Sequence, residues 1–175
     1  MQVKYIKILF VLLLLFVSSS TIIAQTDAYT GTWEYQNGNQ KFIVSLWEEN
    51  DAVLGYYKKI TVDNSGIQTS LIFTSRTDLG DGTYFFPYSI YGHVGQSGLT
   101  AIFNDNTMTN IDEDYKKGYL NMKIIEQGLP GCNTCITKAS WKITDTGGMY
   151  INFVEGFSVP TNIILTKVSN TVNLD

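Results

Sequence analysis

Cys132 and Cys135 stand two residues apart in Cys132-Asn133-Thr134-Cys135, a spacing shared by redox dithiols and short disulfide staples. A redox pair needs a helix N-terminus to lower one thiol's pKa, and the surrounding pattern is strand-like, so a disulfide tying two strand candidates is the expected state. The loop it closes is small, which puts its stabilisation at the low end of the disulfide range. His93 is the only histidine, so any Ser-His-Asp or Cys-His nucleophilic set would have to run through it. Its setting, Tyr91-Gly92-His93-Val94-Gly95, reads instead as a strand end entering a turn. Two cysteines and one histidine complete no four-ligand zinc site without distant carboxylates. Acidic residues gather at Asp105 and Asp112-Glu113-Asp114, and again at Asp78 and Asp81-Gly82, but without the alternation of a calcium loop. Both groups read as solvated turns, with Lys116 and Lys117 balancing part of the Asp112-Glu113-Asp114 cluster. No carboxylate pair is distinguished for glycoside hydrolysis. The expected catalytic set, metal site and cofactor are therefore none, and the chain is read as a non-enzyme.

What remains is an aromatic supply: 11 Tyr, nine Phe and three Trp, too many for a disordered chain. The rings sit on short segments in which apolar residues recur with period two and which end in Gly, Asn or Asp, the mark of strands joined by tight turns. Ten candidate strands follow: residues 30–36, 40–48, 53–62, 67–75, 83–94, 99–103, 119–125, 136–143, 149–154 and 162–168. Asn37-Gly38-Asn39 is a hairpin turn, Phe42, Val44 and Leu46 share one face, and Pro87 marks an edge or bulge. Residues 104–118 read as a polar loop. Sequential strands with short connections favour an all-β, antiparallel up-and-down barrel of about eight to ten strands, with a two-sheet sandwich as the alternative. Tyr56 and Tyr57, and then Tyr84, Phe85, Phe86, Tyr88 and Tyr91, put rings on both faces of their strands. One face can line the interior. The other is either ordinary cross-strand packing or a surface ring row suited to sugars or protein partners.

The first 24 residues carry a separate message. Lys4 and Lys7 precede an apolar run from Ile8 to Val17 and then a Ser/Thr stretch, the order of a secretory signal peptide. Ten residues of helix rise about 15 Å, roughly half a bilayer core. Cleavage after Ala24 leaves residues 25–175 as one domain without an acceptor cysteine at the cut, so the expectation is a soluble exported protein, periplasmic or extracellular, with no membrane anchor. Loss of Lys4 and Lys7 leaves ten basic against 16 acidic residues, a balance that disfavours nucleic acid as partner.

The opening Thr30-Gly31-Thr32-Trp33, with Phe42-Ile43-Val44 and Leu54-Gly55-Tyr56-Tyr57 after it, resembles the start of a calycin-type barrel, the superfamily of lipocalins, fatty-acid-binding proteins and avidins. The resemblance implies that Gly31 allows close backbone approach, that Trp33 closes the base of the barrel, and that Lys167 on the last strand packs over it. Where avidins place a biotin-binding asparagine two residues after the tryptophan, this chain has Tyr35, and Lys59 replaces a hydroxylated residue. The whole-length pattern, with Leu129-Pro130-Gly131, Ala139-Ser140-Trp141-Lys142-Ile143 and residues 160–167, also resembles small secreted Bacteroidetes proteins of unknown function. The function that follows is non-catalytic binding of a small apolar or amphipathic ligand inside the barrel, with Trp33, Phe42, Val44, Tyr57, Phe86 and Tyr88 as its walls. The alternatives are a protein- or glycan-interaction module with a filled core, possessing a cell-surface or protein partner, and then a carboxylate-dependent hydrolase.

Overall fold

The computed structural model describes residues 26–76, 88–108, 115–128, 136–147 and 155–174. They contain nine strands: β1 Gly31–Asn37, β2 Gln40–Glu49, β3 Ala52–Val62, β4 Gln68–Thr74, β5 Ile90–Gly95, β6 Gly98–Asp105, β7 Lys116–Glu126, β8 Lys138–Asp145 and β9 Asn162–Ser169. The first two turns follow from their residues. Gly38 has φ 60°, and Asn50 and Asp51 have φ 52° and 63°, the left-handed pair that a two-residue hairpin joining β2 to β3 requires. Asn and Asp tolerate that region better than other residues with a β-carbon.

Every pairing is antiparallel, and β1 meets β9 through Trp33 and Lys167, so the meander β1-β2-β3-β5-β6-β7-β8-β9 closes on itself as an eight-stranded up-and-down barrel. The ninth strand, β4, lies beside the barrel. Along one side of β3, residues Val53 to Gly55 pair with β5, while Lys58 to Val62 pair with β4. A long β3 thus serves two neighbours at different heights.

Alternate residues point inward. Trp33 on β1, Phe42, Val44 and Leu46 on β2, Val53 and Tyr57 on β3, Ile90 on β5, and Leu99, Ala101 and Phe103 on β6 belong to one core. Leu120 and Met122 on β7, Ala139, Trp141 and Ile143 on β8, and Leu165 on β9 complete its walls. An eight-stranded barrel is just wide enough for side chains to fill. The outside of the β2–β3 hairpin is buried as well: Ile43, Ile60 and Val62 form a second, smaller apolar cluster. The tail after β9 crosses this outer surface. Thr171 O accepts from Thr32 Oγ1 at 2.8 Å, Asn173 N donates back to Thr32 Oγ1 at 3.1 Å, and the carbonyls of Asn173 and Leu174 accept from Ser45 and Arg76.

Gly31 carries φ 112°, and a β-carbon there would lie 2.2 Å from the backbone oxygen of Ser169, so β1 and β9 close the barrel only because this position has no side chain. Gly31→Ala combines a disfavoured φ with a backbone clash and is expected to cost about 2–4 kcal/mol in urea unfolding, against a few tenths for Gly95→Ala, whose added β-carbon meets nothing.

Several sequence expectations change in detail. The strand expected over 83–94 is regular only from Ile90, because Tyr88 and Ser89 precede it as irregular chain and 83–87 lie outside the described residues, as does the candidate 149–154. The polar loop expected over 104–118 is shorter, since β6 continues inward-facing to Asp105 and β7 begins at Lys116. Among the described residues no helix is long and apolar enough to cross a membrane.

Candidate functional site

Three regions of the barrel could act: its base, its interior and upper end, and its outer face.

At the base, Trp33 is fully buried and donates its indole N–H to Tyr29 O at 2.8 Å. Lys167 Nζ lies 5.7 Å from the Trp33 ring centroid and donates to the carbonyls of Asp27 and Ala28 at 3.3 Å each. Trp33 faces that cation from β1 while Lys167 reaches it from β9, as the calycin resemblance implies. Burial lowers the Lys167 pKa, partly opposed by the charge of Asp27. The Lys167 ammonium thus joins the buried Trp33 ring to the backbone just before β1.

In the interior, four rings from four strands touch in a closed circuit. Phe42 lies 5.9 Å from Tyr57, Tyr57 stacks on Phe103 at 5.0 Å, Phe103 meets Trp141 edge-on at 5.9 Å, and Trp141 returns to Phe42 at 5.9 Å. These are the separations of rings in direct van der Waals contact. Phe73 from β4 and Phe157 cap the circuit at 6.3 and 6.2 Å.

Above the rings sits a polar clasp that sequence reasoning missed. Asp105, at the end of β6, is fully buried. Its Oδ1 accepts from Tyr57 OH at 3.0 Å, Thr107 Oγ1 at 3.0 Å and Ser158 Oγ at 2.7 Å, and its Oδ2 accepts from Ser158 N at 2.6 Å. Beside it, Asn106 Nδ2 donates to Ser75 O at 2.7 Å, and Ser75 Oγ accepts from Tyr57 N at 2.8 Å. Three connections are thereby pinned to the barrel: the one after β4, the one after β6 and the one before β9. Asp105 had been grouped with solvated acidic turns. The structure corrects that reading, because Ala101, Phe103 and Asp105 continue one inward alternation, and this signal was available in the sequence.

The clasp is poorly suited to acid–base chemistry. Burial raises the Tyr57 pKa well above its ordinary 10.0, and the nearby Asp105 charge raises it further. A tyrosine so held is a weaker acid than usual, and the carboxylate is occupied by hydroxyl and amide donors. The shift also makes a stability statement. With the folded pKa raised, the unfolded chain loses this proton first, so the contribution is intact below about pH 10 and is lost as pH climbs through the folded value. Wild type should therefore lose stability relative to Tyr57→Phe as pH rises from 9 to 11 in parallel urea titrations. A constant difference across that range would contradict the burial of the phenol.

Lys116 was expected to balance Asp112-Glu113-Asp114, which lie outside the described residues. Among the described residues it pairs with Asp145, at 2.8 Å, with its ammonium 5.0 Å from the Phe157 ring centroid. The hydrogen bond from Lys116 lowers the Asp145 pKa.

On the outer face of β5 to β8, the register sets Tyr91, Ile102, Tyr119 and Thr144 side by side, and below them His93, Thr100, Asn121 and Lys142. Tyr91 and Tyr119 are exposed. Tyr88 stacks on Tyr91 at 5.5 Å, and His93 meets the same ring edge-on at 5.6 Å while its Nδ1 lies 3.1 Å from Asp51 O. His93 is thus tied to a ring and a backbone carbonyl.

Of the six expected pocket walls, Trp33, Phe42, Val44 and Tyr57 face the interior and are buried in contact with the rest of the core. Tyr88 is a correction: it lies off the strand and packs on an exposed outer ring, because irregular chain before β5 breaks the alternation that would have turned it inward. Phe86, Cys132 and Cys135 lie outside the described residues, so the expected disulfide does too. Among the described residues no group of three or more His, Cys, Asp or Glu is placed to hold a metal.

No curated protein and no solved structure shows a significant match to the chain. A family pattern does match, over residues 3–168, nearly the whole length, including β1 to β8 and β9 short of its last residue. The chain therefore belongs to DUF6705, a family of unknown function.

Proposed function

We propose that the chain is an exported, non-catalytic interaction module with a filled barrel, which meets a protein or glycan partner on its outer surface. The closed circuit of Phe42, Tyr57, Phe103 and Trp141 carries this reading. An apolar or amphipathic ligand inside the barrel, the first expectation from the sequence, would have to part rings already in contact and open the Asp105 clasp above them. Small-molecule pockets are usually pre-formed, at several hundred Å³. Among the described residues, a cleft on the outer side of β2 and β3 under the C-terminal tail, lined by Ile43, Tyr56, Lys58 and Asn173, has a volume of about 20 Å³, room for water alone. Export rests on the order of Lys4, Lys7, the apolar run and the Ser/Thr stretch. The non-catalytic assignment is supported by a carboxylate and a histidine that are both engaged by neighbouring groups. Native mass spectrometry of protein purified from its own culture tests the filled barrel. A mass equal to the chain alone is expected, and a stoichiometric bound lipid or hydrophobic metabolite would overturn it.

A further inference from the structure

We propose that the outer face of β5 to β8 binds an anionic polysaccharide, a deeper form of the surface-module reading and resting on it. The chain as a whole is acidic, with a formal charge of -4. Among the described residues this face leans to the opposite sign, with Asp51 at the His93 edge and Asp145 after Thr144 as acidic residues at its borders. Above the Glu126–Lys138 ion pair at its lower margin, the charged residues that the described strands turn outward here are Lys117, Lys123 and Lys142, all exposed. Lys117 lies over the Tyr115 ring at 5.6 Å, so its ammonium stands beside the aromatic surface.

Rings are interleaved with these charges. Tyr91 and Tyr119 sit at the same height two strands apart, which is about 9.6 Å. Each therefore offers a flat apolar surface at a spacing close to that of every second sugar ring along one chain. Tyr88 behind Tyr91 and His93 at its edge hold that ring in place before any ligand arrives. Pre-organisation of this kind reduces the ordering cost of binding. Between and below the rings, Thr100, Asn121 and Thr144 provide hydroxyl and amide groups for sugar hydroxyls.

The combination selects among partners. A protein interface concentrates its energy in a desolvated apolar centre with pockets for anchor residues. Here a narrow row, Tyr91, Ile102 and Tyr119, is flanked by polar and cationic groups on a convex barrel wall. A polysaccharide bearing carboxylates or sulfates meets all three features: C–H faces on the tyrosines, hydroxyls on the amides and hydroxyls, and anionic groups on the lysines.

Affinity electrophoresis of the purified protein in gels containing polygalacturonate, carrageenan or laminarin supplies carboxylated, sulfated and neutral arms, with polyglutamate as a charged polymer lacking sugar rings. Retardation by polygalacturonate or carrageenan beyond that by laminarin and polyglutamate is expected, and the stronger arm identifies the anionic group. Tyr91→Ala with Tyr119→Ala should weaken retardation at least tenfold, and Lys117→Ser with Lys123→Ser and Lys142→Ser should remove its sensitivity to salt. All of these residues are exposed, so every variant should keep the wild-type melting temperature. Equal retardation by polyglutamate, or retardation unaffected by the tyrosine pair, overturns the polysaccharide assignment. No retardation by either anionic glycan overturns it too, while a filled barrel by native mass spectrometry would leave the surface-module reading standing.

Discussion

Asp105→Ala should cost the fold about 3–5 kcal/mol, because it removes a buried acceptor and leaves the donors around it incompletely satisfied. The carboxylate is fully buried and satisfies the Tyr57 hydroxyl, the Thr107 hydroxyl, and both the hydroxyl and the amide of Ser158. Without it, the Tyr57 hydroxyl keeps Asn106 Oδ1 at 3.2 Å and the Thr107 and Ser158 hydroxyls keep each other at 2.7 Å, while Ser158 N–H and one of those hydroxyl protons lose their acceptor, at about 1–3 kcal/mol each where water cannot enter. Asp105→Asn should recover only part of the loss. One amide oxygen can still accept, but the NH₂ must face either Ser158 N–H or the Tyr57 side, where donors already point. Urea unfolding followed by tryptophan fluorescence measures both. A loss below about 1 kcal/mol for the alanine variant would mean that the clasp is solvated and that the upper end of the barrel is open.

Phe103→Ala should cost about 3–5 kcal/mol, as large-to-small changes at buried aromatics do. Phe103 is fully buried and meets three other rings, those of Tyr57, Trp141 and Phe157. Its removal leaves a cavity lined by rings that β-strands hold in place, so collapse can recover little. That cavity should then accept a small apolar molecule which the wild type excludes, since apolar cavities made in this way stay dry and bind such ligands. Benzene should raise the melting temperature of the variant and leave the wild type unchanged. If Phe103→Ala is nearly neutral, the ring circuit is not packed as described and the interior already has room.

The barrel itself could be read from the sequence wherever alternation was unbroken. Residues 40–48 turn Phe42, Val44 and Leu46 inward because nothing in that run disturbs the pleat, and Gly38 and Asn50-Asp51 mark turns through the left-handed backbone region they share. Closure was less visible. It depends on Gly31 giving way to the Ser169 carbonyl, a contact between residues at opposite ends of the chain that only the calycin resemblance suggested. Alternation misled at Tyr88, where irregular chain before Ile90 reset the phase.

The clasp was hidden for a different reason. Asp105 continues an inward alternation, but composition favours treating an aspartate followed by Asn106 and Thr107 as a solvated turn. Its acceptor role is set by Tyr57, 48 residues earlier, and by Ser158, 53 residues later. A polar residue at an inward position is worth testing as a buried anchor before it is assigned to solvent. The outer face was half legible. Tyr91 was a candidate surface ring, whereas its alignment with Tyr119, and the run of lysines around both, needed the strand register.

A filled barrel that works from its outside makes a direct spectroscopic prediction. Trp33 and Trp141 are buried, with indole N–H groups donating to Tyr29 O and Pro160 O, whereas Trp47 is partly exposed against Tyr56. ¹⁵N-labelled protein titrated with a fatty acid, and separately with the retained polysaccharide, reports on all three indoles and on the Tyr119 and Asn121 amides at once. The indole signals of Trp33 and Trp141 should stay fixed in both titrations, while polysaccharide shifts the Tyr119 and Asn121 signals. Saturable movement of the Trp33 and Trp141 indoles with fatty acid would place a ligand inside the barrel and contradict the filled core.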